Sequence, residues 1–388
     1  MQPEPSRVVN SRQPVYSWGI AGTAVVVSLS LVLLLYRDAV LHVTGYWNQW
    51  DSGGVYAHGY LTLAISLYLI FSQRKKLVHL RPCASVIALF AVGALSLFWL
   101  AAAMMDIITV QVLALLLLIL AIPWALLGNQ VTRHLVFPVL ILLFAIPVWS
   151  VLSSFLQEMT AGASYGIARL IGVTVFRQEQ LLILPAGQLE VTPSCSGMGY
   201  LLAALTLGML YAHLNYQTFF HRLVVVVIAG CTAIIANILR VAIVVQQAYE
   251  TDMQTSLVND HFYLGWYLFG GMVVVLLVID HYIAMSVKRP KAGVGNPDEE
   301  VIDDVCAQGY SRQLVVLVAT GVFITSVPVI AWWSHNQYGS GQLAEVVMPA
   351  GAAGWSVNRT GEGLRGSSRS TPVPACRAVA RADAAKPV

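Results

Sequence analysis

Apolar residues in this chain come in long runs. They do not form the stripe expected of a helix with one face in water. A helix needs about 20 apolar residues to cross a bilayer. Nine runs reach or approach that length: residues 17–36, 56–72, 84–104, 107–127, 134–152, 195–213, 223–247, 262–286 and 313–333. The third and fourth are parted only by Asp106 and its neighbours, which predicts a tight helical hairpin. Residues 153–194 break the pattern, because they hold Glu158, Arg169, Arg177, Glu179 and Glu190. That segment reads as a surface helix over about 156–175, then an extended stretch, Leu181–Val191, both outside the hydrocarbon. The first run lacks a small-residue cleavage site and is long enough to stay as an anchor. The expected fold is an all-α polytopic integral membrane protein, with about eight core transmembrane helices and a ninth leading to a short periplasmic tail.

Composition narrows the function classes. Of 388 residues, 57% are hydrophobic and 11% charged, against roughly 25% charged in a soluble domain. Such a chain cannot cover a water-facing surface of its own size. A soluble enzyme, a disordered chain and a fibre are excluded. Twenty-two basic and 19 acidic residues leave a net charge of +3, too balanced for nucleic-acid binding by bulk charge. Five cysteines show no CxxC or Cys/His metal spacing, so neither a disulfide framework nor a zinc site is expected. No metal or organic cofactor is expected either.

The placement of charge sets orientation, because Lys and Arg in short loops mark the cytoplasmic side. Arg7 and Arg12, then Arg74, Lys75, Lys76 and Arg81, then Arg133 and His134, His221 and Arg222, and Lys288, Arg289 and Lys291 fall in alternate loops. The loops between carry Asp51, Asp106, Glu250, Asp252 and Asp260. Nine spans with a cytoplasmic N-terminus satisfy this arrangement and leave the segment after Trp333 outside, in the periplasm of a bacterial inner membrane. The expected organisation is a cytoplasmic arm (1–16), a membrane domain (17–290), a cytoplasmic linker (291–312), a ninth span with a short periplasmic segment (313–358), and a disordered tail rich in Arg, Ala, Ser and Pro (359–388).

This topology gathers three reactive residues at the outer face. Cys195 opens the sixth span, Arg240 lies about two turns below the outer end of the seventh, and His261 opens the eighth. His58 begins the second span on the same face. Each has a plainer reading. A membrane cysteine is usually a small packing residue, and this reading is kept for Cys83 and Cys231, with Cys306 an inert cytoplasmic thiol. Cys195 differs in lying within Thr192-Pro193-Ser194-Cys195-Ser196-Gly197. Proline suits a first helical turn, Thr192 and Ser194 are candidate caps, and a helix N-terminus stabilises a thiolate. An arginine inside a span costs several kcal/mol and normally faces a partner or a wet cavity. Asn237, one turn from Arg240, is placed to hold it; pairing with Glu250 or Asp252, or snorkelling, is the plainer alternative. His261 beside Asp260, and His58 between Tyr56 and Tyr60, suit an ordinary interface.

These residues carry a resemblance. Ser194-Cys195-Ser196-Gly197, Asn237-Ile238-Leu239-Arg240-Val241, and His261 followed by Gly265-Trp266 resemble the three motifs of the exosortases. Ala57-His58-Gly59-Tyr60-Leu61 does so too. The likeness runs over roughly residues 15–290; Met198 and Gly199 stand where many members have a basic or polar residue. Exosortases are polytopic inner-membrane cysteine proteases and presumed transpeptidases of Gram-negative bacteria. The resemblance implies Cys195 as nucleophile, Arg240 as stabiliser of the thiolate or oxyanion, and His261 as general acid and base. Asn237, His58, Ser194 and Ser196 are supporting residues. It also implies substrates: exported proteins with a C-terminal Pro-Glu-Pro motif, a transmembrane helix and a basic tail (PEP-CTERM), in systems linked to exopolysaccharide production and surface sorting. The rival reading is a non-catalytic membrane component of an export or exopolysaccharide assembly system. Arg169 and Arg177 are candidate contacts for the acidic residue of the substrate motif.

Overall fold

The computed structural model describes residues 18–49, 54–254, 262–286, 310–338 and 378–379. Helix α1 (Trp18–Leu35) is followed by the short amphipathic α2 (Arg37–Trp47), then α3 (Gly59–Ser72) and the basic α4 (Arg74–His79). Helices α5 (Val86–Met104) and α6 (Ile108–Leu140) follow, and α6 continues through a 3-10 turn, Ile141–Ala145. A second 3-10 turn (Pro147–Leu152) leads into α7 (Ser153–Leu170) and strands β1 (Phe176–Gln178), β2 (Leu181–Leu184) and β3 (Gly187–Glu190). After a 3-10 turn at Pro193–Cys195 come α8 (Met198–Asn215) and α9 (Phe219–Glu250). Helices α10 (Phe262–Ser286) and α11 (Tyr310–Tyr338) and a two-residue strand β4 (Ala378–Val379) complete the described elements.

The chain is an all-α polytopic membrane protein with little sheet. Six helices are long and apolar enough to cross a membrane: Trp18–Leu35, Val86–Met104, Ile108–Ala145, Pro193–Asn215, Phe219–Glu250 and Arg312–Gln337. Gly59–Ser72 and Tyr267–Ile279 are shorter apolar helices. Their outward faces are apolar: Val26 and Val27 on α1, Ile87 and Phe90 on α5 and Val315 on α11 are each more than 60% exposed. A water-soluble monomer does not present such continuous apolar surface.

The expected hairpin at Asp106 is present. Asp106 takes φ +54, and the Ile107 amide donates to the Ala102 carbonyl at 2.9 Å. The fourth and fifth expected spans are two helices that join without a loop inside the run α6, at Gly128, where φ is +83 and ψ is −177. That conformation is essentially reserved for glycine, and a Cβ there would overlap the Cys83 carbonyl. The contacts on either side show that the chain reverses at this point. The Cys83 amide donates to Leu127 O at 3.0 Å and the Ser85 amide to Ala125 O at 2.9 Å, at the start of α5. Beyond the break, Ser66 Oγ donates to Pro138 O at 2.6 Å, and His58 Nε2 lies 3.2 Å from Phe144 O.

One core, carried by α1, α2, α5, α6, α8 and α11, holds Tyr36, Leu118, Ile122, Leu126, Leu202 and Ile324. A second, smaller core joins α7, the sheet and α9 through Ala161, Leu182, Leu189, Val241 and Val245, and it includes Cys195. The segment expected to be a surface helix and an extended stretch is therefore more structured than a covering layer. Helix α7 stops at Leu170, and residues 176–190 fold into antiparallel strands in order β1-β2-β3-β4. Leu182 and Leu184 face the small core, as do Gly187 and Leu189 in the paired strand. Within the range expected to be a disordered tail, Ala378 and Val379 pair with Leu189 and Gln188.

Candidate active site

The Cys195 turn is built locally. Pro193 occupies the first position of its 3-10 turn, where a missing amide donor is harmless. Cys195 N donates to Thr192 O at 2.9 Å, and Ser196 Oγ donates to Pro193 O at 2.7 Å. The same Ser196 oxygen accepts from Met198 N at 3.2 Å, so Ser196 meets the first amide of α8. Thr192 and Ser194, the expected caps, instead bond to each other at 3.0 Å. Gly197 then takes φ +83 and starts the helix.

Gly197 is required for a second reason. A Cβ at that position would stand 2.6 Å from Asn237 Cγ. The close approach lets Asn237 Nδ2 donate to Cys195 O at 3.0 Å and to Thr160 Oγ1 at 3.2 Å. Thr160 Oγ1 in turn donates to Ser196 O at 3.3 Å. Asn237 and Thr160 are each 1% exposed. Asn237 is not hydrogen-bonded to Arg240 as expected: its amide nitrogen is committed to the Cys195 turn and to α7.

Arg240, one turn further along α9, is 5% exposed. Its guanidinium carbon lies 5.3 Å from the centroid of the Tyr200 ring, a cation–π distance. Among the described residues Arg240 Nε and Asn237 Oδ1 are buried without a hydrogen-bond partner. The ion pairs among those residues are Arg37–Asp38 and Arg177–Glu158. The alternative pairing of Arg240 with Glu250 or Asp252 is thus not made, and Glu250 accepts from Gln246 and Gln247 instead. Gly265 of α10 closes the arrangement: a Cβ there would overlap the Tyr200 hydroxyl and lie 3.8 Å from Arg240 Nε. A desolvated cation that faces an aromatic ring, and no carboxylate among the described residues, can bind developing negative charge.

The remaining expected residues divide. His58 packs by its Nε2 on the Phe144 carbonyl, bracing α3 on the end of the α6 run. The turn before it reaches the site differently: the Val55 carbonyl lies 3.3 Å from where a Cβ of Gly199 would be. Arg177 is engaged by Glu158 and donates through Nε to Glu179 O at 2.8 Å, so it is not an open cation for a substrate. Arg169 is exposed in the last turn of α7. His261 and Asp260 lie outside the described residues. Cys231 is a free, exposed thiol on α9. Cys83 and Cys195 are each disulfide-bonded, so Cys83 is not the free packing thiol expected of it.

Sequence reasoning missed Tyr200 and Thr160. Tyr200 lies five residues past Cys195 in an apolar run, where an aromatic residue reads as packing. Thr160 and Ser164 are one turn apart on the buried face of α7, among Leu156, Ala161 and Ala168. Two hydroxyls on a face of small residues are a helix-contact signal, and Ser164 Oγ indeed donates to Ile238 O at 3.2 Å.

Comparison with curated proteins and with solved structures returns no match. A family model described as transmembrane exosortase matches residues 50–278, more than half of the chain.

Proposed function

The chain belongs to the transmembrane exosortase family, and from that premise we propose that it is a membrane-embedded cysteine protease and transpeptidase. Its substrates are exported proteins ending in a Pro-Glu-Pro motif, one transmembrane helix and a basic tail, handled in a system tied to exopolysaccharide production and surface sorting. The observation that carries this reading is the fastening of the Cys195 turn to Asn237, with the buried cation of Arg240, which has no ion pair among the described residues, one helical turn away.

In its reduced form, Cys195 attacks the scissile carbonyl as a thiolate, and the carbonyl oxygen becomes an oxyanion. Arg240 stabilises that charge in a site from which water is largely excluded. His261 protonates the departing amine as the C–N bond breaks and a thioester forms. It then takes a proton from the incoming amine or water, which attacks the thioester and releases Cys195. An apolar cavity of about 260 Å³, lined by residues including Ala204, Gly208, Ala229, Met272 and Leu276 of α8, α9 and α10, has room for apolar side chains of a substrate anchor packed against these elements. The site faces the periplasm in this reading.

A second reading has one observation in its favour. Cys195 is disulfide-bonded in this structure, and a permanently oxidised residue is no nucleophile, as in a non-catalytic assembly component. One experiment separates the two. A reporter ending in the tripartite signal is co-expressed with the wild type, and with Cys195→Ala, Arg240→Ala and His261→Ala at matched levels. The intact mass of the reporter is read, and membranes are also assayed with added reductant. The expected result is loss of the tail with the wild type alone, any added mass identifying the acceptor. Equal clipping with Cys195→Ala removes the nucleophile assignment. An intact reporter throughout, reductant included, favours the assembly component.

A further inference from the structure

We propose that Thr160 is a positioning residue for Cys195, which makes α7 part of the catalytic apparatus. The inference rests on the reading of Cys195 as the nucleophile. Three chain segments meet at one point: α7 through Thr160, the turn before α8 through Cys195 and Ser196, and α9 through Asn237. The Thr160 hydroxyl accepts from Asn237 Nδ2 at 3.2 Å and donates to Ser196 O at 3.3 Å, while Asn237 Nδ2 donates to Cys195 O at 3.0 Å. Consecutive carbonyls of the nucleophile turn, those of Cys195 and Ser196, are thereby held by two side chains that hold each other. The plain alternative is that Thr160 is helix-to-helix glue. The structure contains a hydroxyl with that kind of bond: Ser164, one turn on, donates to Ile238 O on α9.

Hydroxyl and amide partners act on a backbone whose alternatives are limited. Gly197 leaves the turn in the left-handed region and seats against the Asn237 side chain. Release of Ser196 O frees that turn to swing on Gly197. The thiol then moves relative to Arg240, whose place is set by α9 and the Tyr200 ring. Such misplacement slows the chemical step and leaves substrate binding intact.

The test uses the full chain in proteoliposomes, with its other four cysteines replaced by Ser. Thr160→Val, Thr160→Ser and Ser164→Ala are compared by reporter cleavage and by the pH profile of Cys195 alkylation with iodoacetamide. Thr160→Val is expected to lower kcat by about 10- to 100-fold with KM changed less than about twofold, and to shift the alkylation profile. Thr160→Ser restores both to near the parent, and Ser164→Ala leaves both near the parent whatever it does to thermal stability. The proposal is overturned if Thr160→Val leaves kcat and the profile unchanged, or if Ser164→Ala loses as much as Thr160→Val. The alkylation profile needs no substrate. If cleavage proves independent of Cys195, the functional reading fails, while the profile still reports whether Thr160 positions the thiol. A Thr160→Val chain that fails to fold leaves the decision to the Thr160→Ser and Ser164→Ala pair: loss of kcat in Thr160→Ser with its hydroxyl retained overturns the proposal.

Discussion

Arg240 shows how a single side chain separates stability from function. Its cation is buried, rests on the Tyr200 ring and has no ion pair among the described residues. A charge kept so far from water costs the fold several kcal/mol. Arg240→Met is therefore expected to leave the thermal midpoint in detergent unchanged or raised while abolishing reporter cleavage. A fall in the midpoint of more than a few degrees would show that the arginine is structural. Lysine is no substitute, because it lacks the planar group that lies over the ring. Cys195 and Arg240 were legible from sequence because a thiol in a Pro-Ser-Cys-Ser-Gly turn and an arginine in an apolar run are chemically out of place. Tyr200 and Thr160 were not, because a tyrosine and a threonine in helices are ordinary until their neighbours are known.

At the scale of elements, the informative position is Gly128. Its backbone conformation and the Cys83 carbonyl beside it both exclude a side chain. Gly128→Ala is expected to destabilise by about 2 kcal/mol or more from backbone strain alone. Thermal unfolding of the purified protein checks this, and a change below about 0.5 kcal/mol would mean that the reversal at Gly128 is not needed. The apolar runs were legible because a helix that faces lipid has to be apolar along its whole length. The division of 107–152 was legible too, although the break is one glycine and not a loop. The sheet was hidden for the opposite reason. Strands of three and four residues are too short for a two-residue alternation to register, and their apolar face meets, besides the neighbouring α7, the sequence-distant Val241 and Val245 of α9.

For the whole molecule, several contacts place the basic segments at one end. Trp18 Nε1 donates to Leu80 O at 2.7 Å, so α1 begins at the level of the loop that follows Arg74, Lys75 and Lys76. Tyr36, at the far end of α1, packs on Trp99 near the far end of α5, with ring centroids 4.5 Å apart. Residues 74–81 are thus expected in the cytoplasm and residues 176–190 in the periplasm. Alkaline phosphatase fused after Ala186 should be active and after His79 inactive, with a fluorescent-protein fusion giving the reverse; the opposite pattern would invert the orientation. The number of passes was less legible than their existence, because Gly59–Ser72 and Tyr267–Ile279 are short for a bilayer.

The meeting of α7, the Cys195 turn and α9 also has a consequence for biogenesis. Thr160 and Asn237 are 77 positions apart, which is about 4 to 15 s of synthesis at about 5–20 residues per second. Cys195 is made within that interval, before Asn237 and Arg240. The thiol therefore enters the membrane with neither its latch nor its cation. On the proposed reading, a half-made chain holds the nucleophile but not yet the site, and cleavage waits for the later helices.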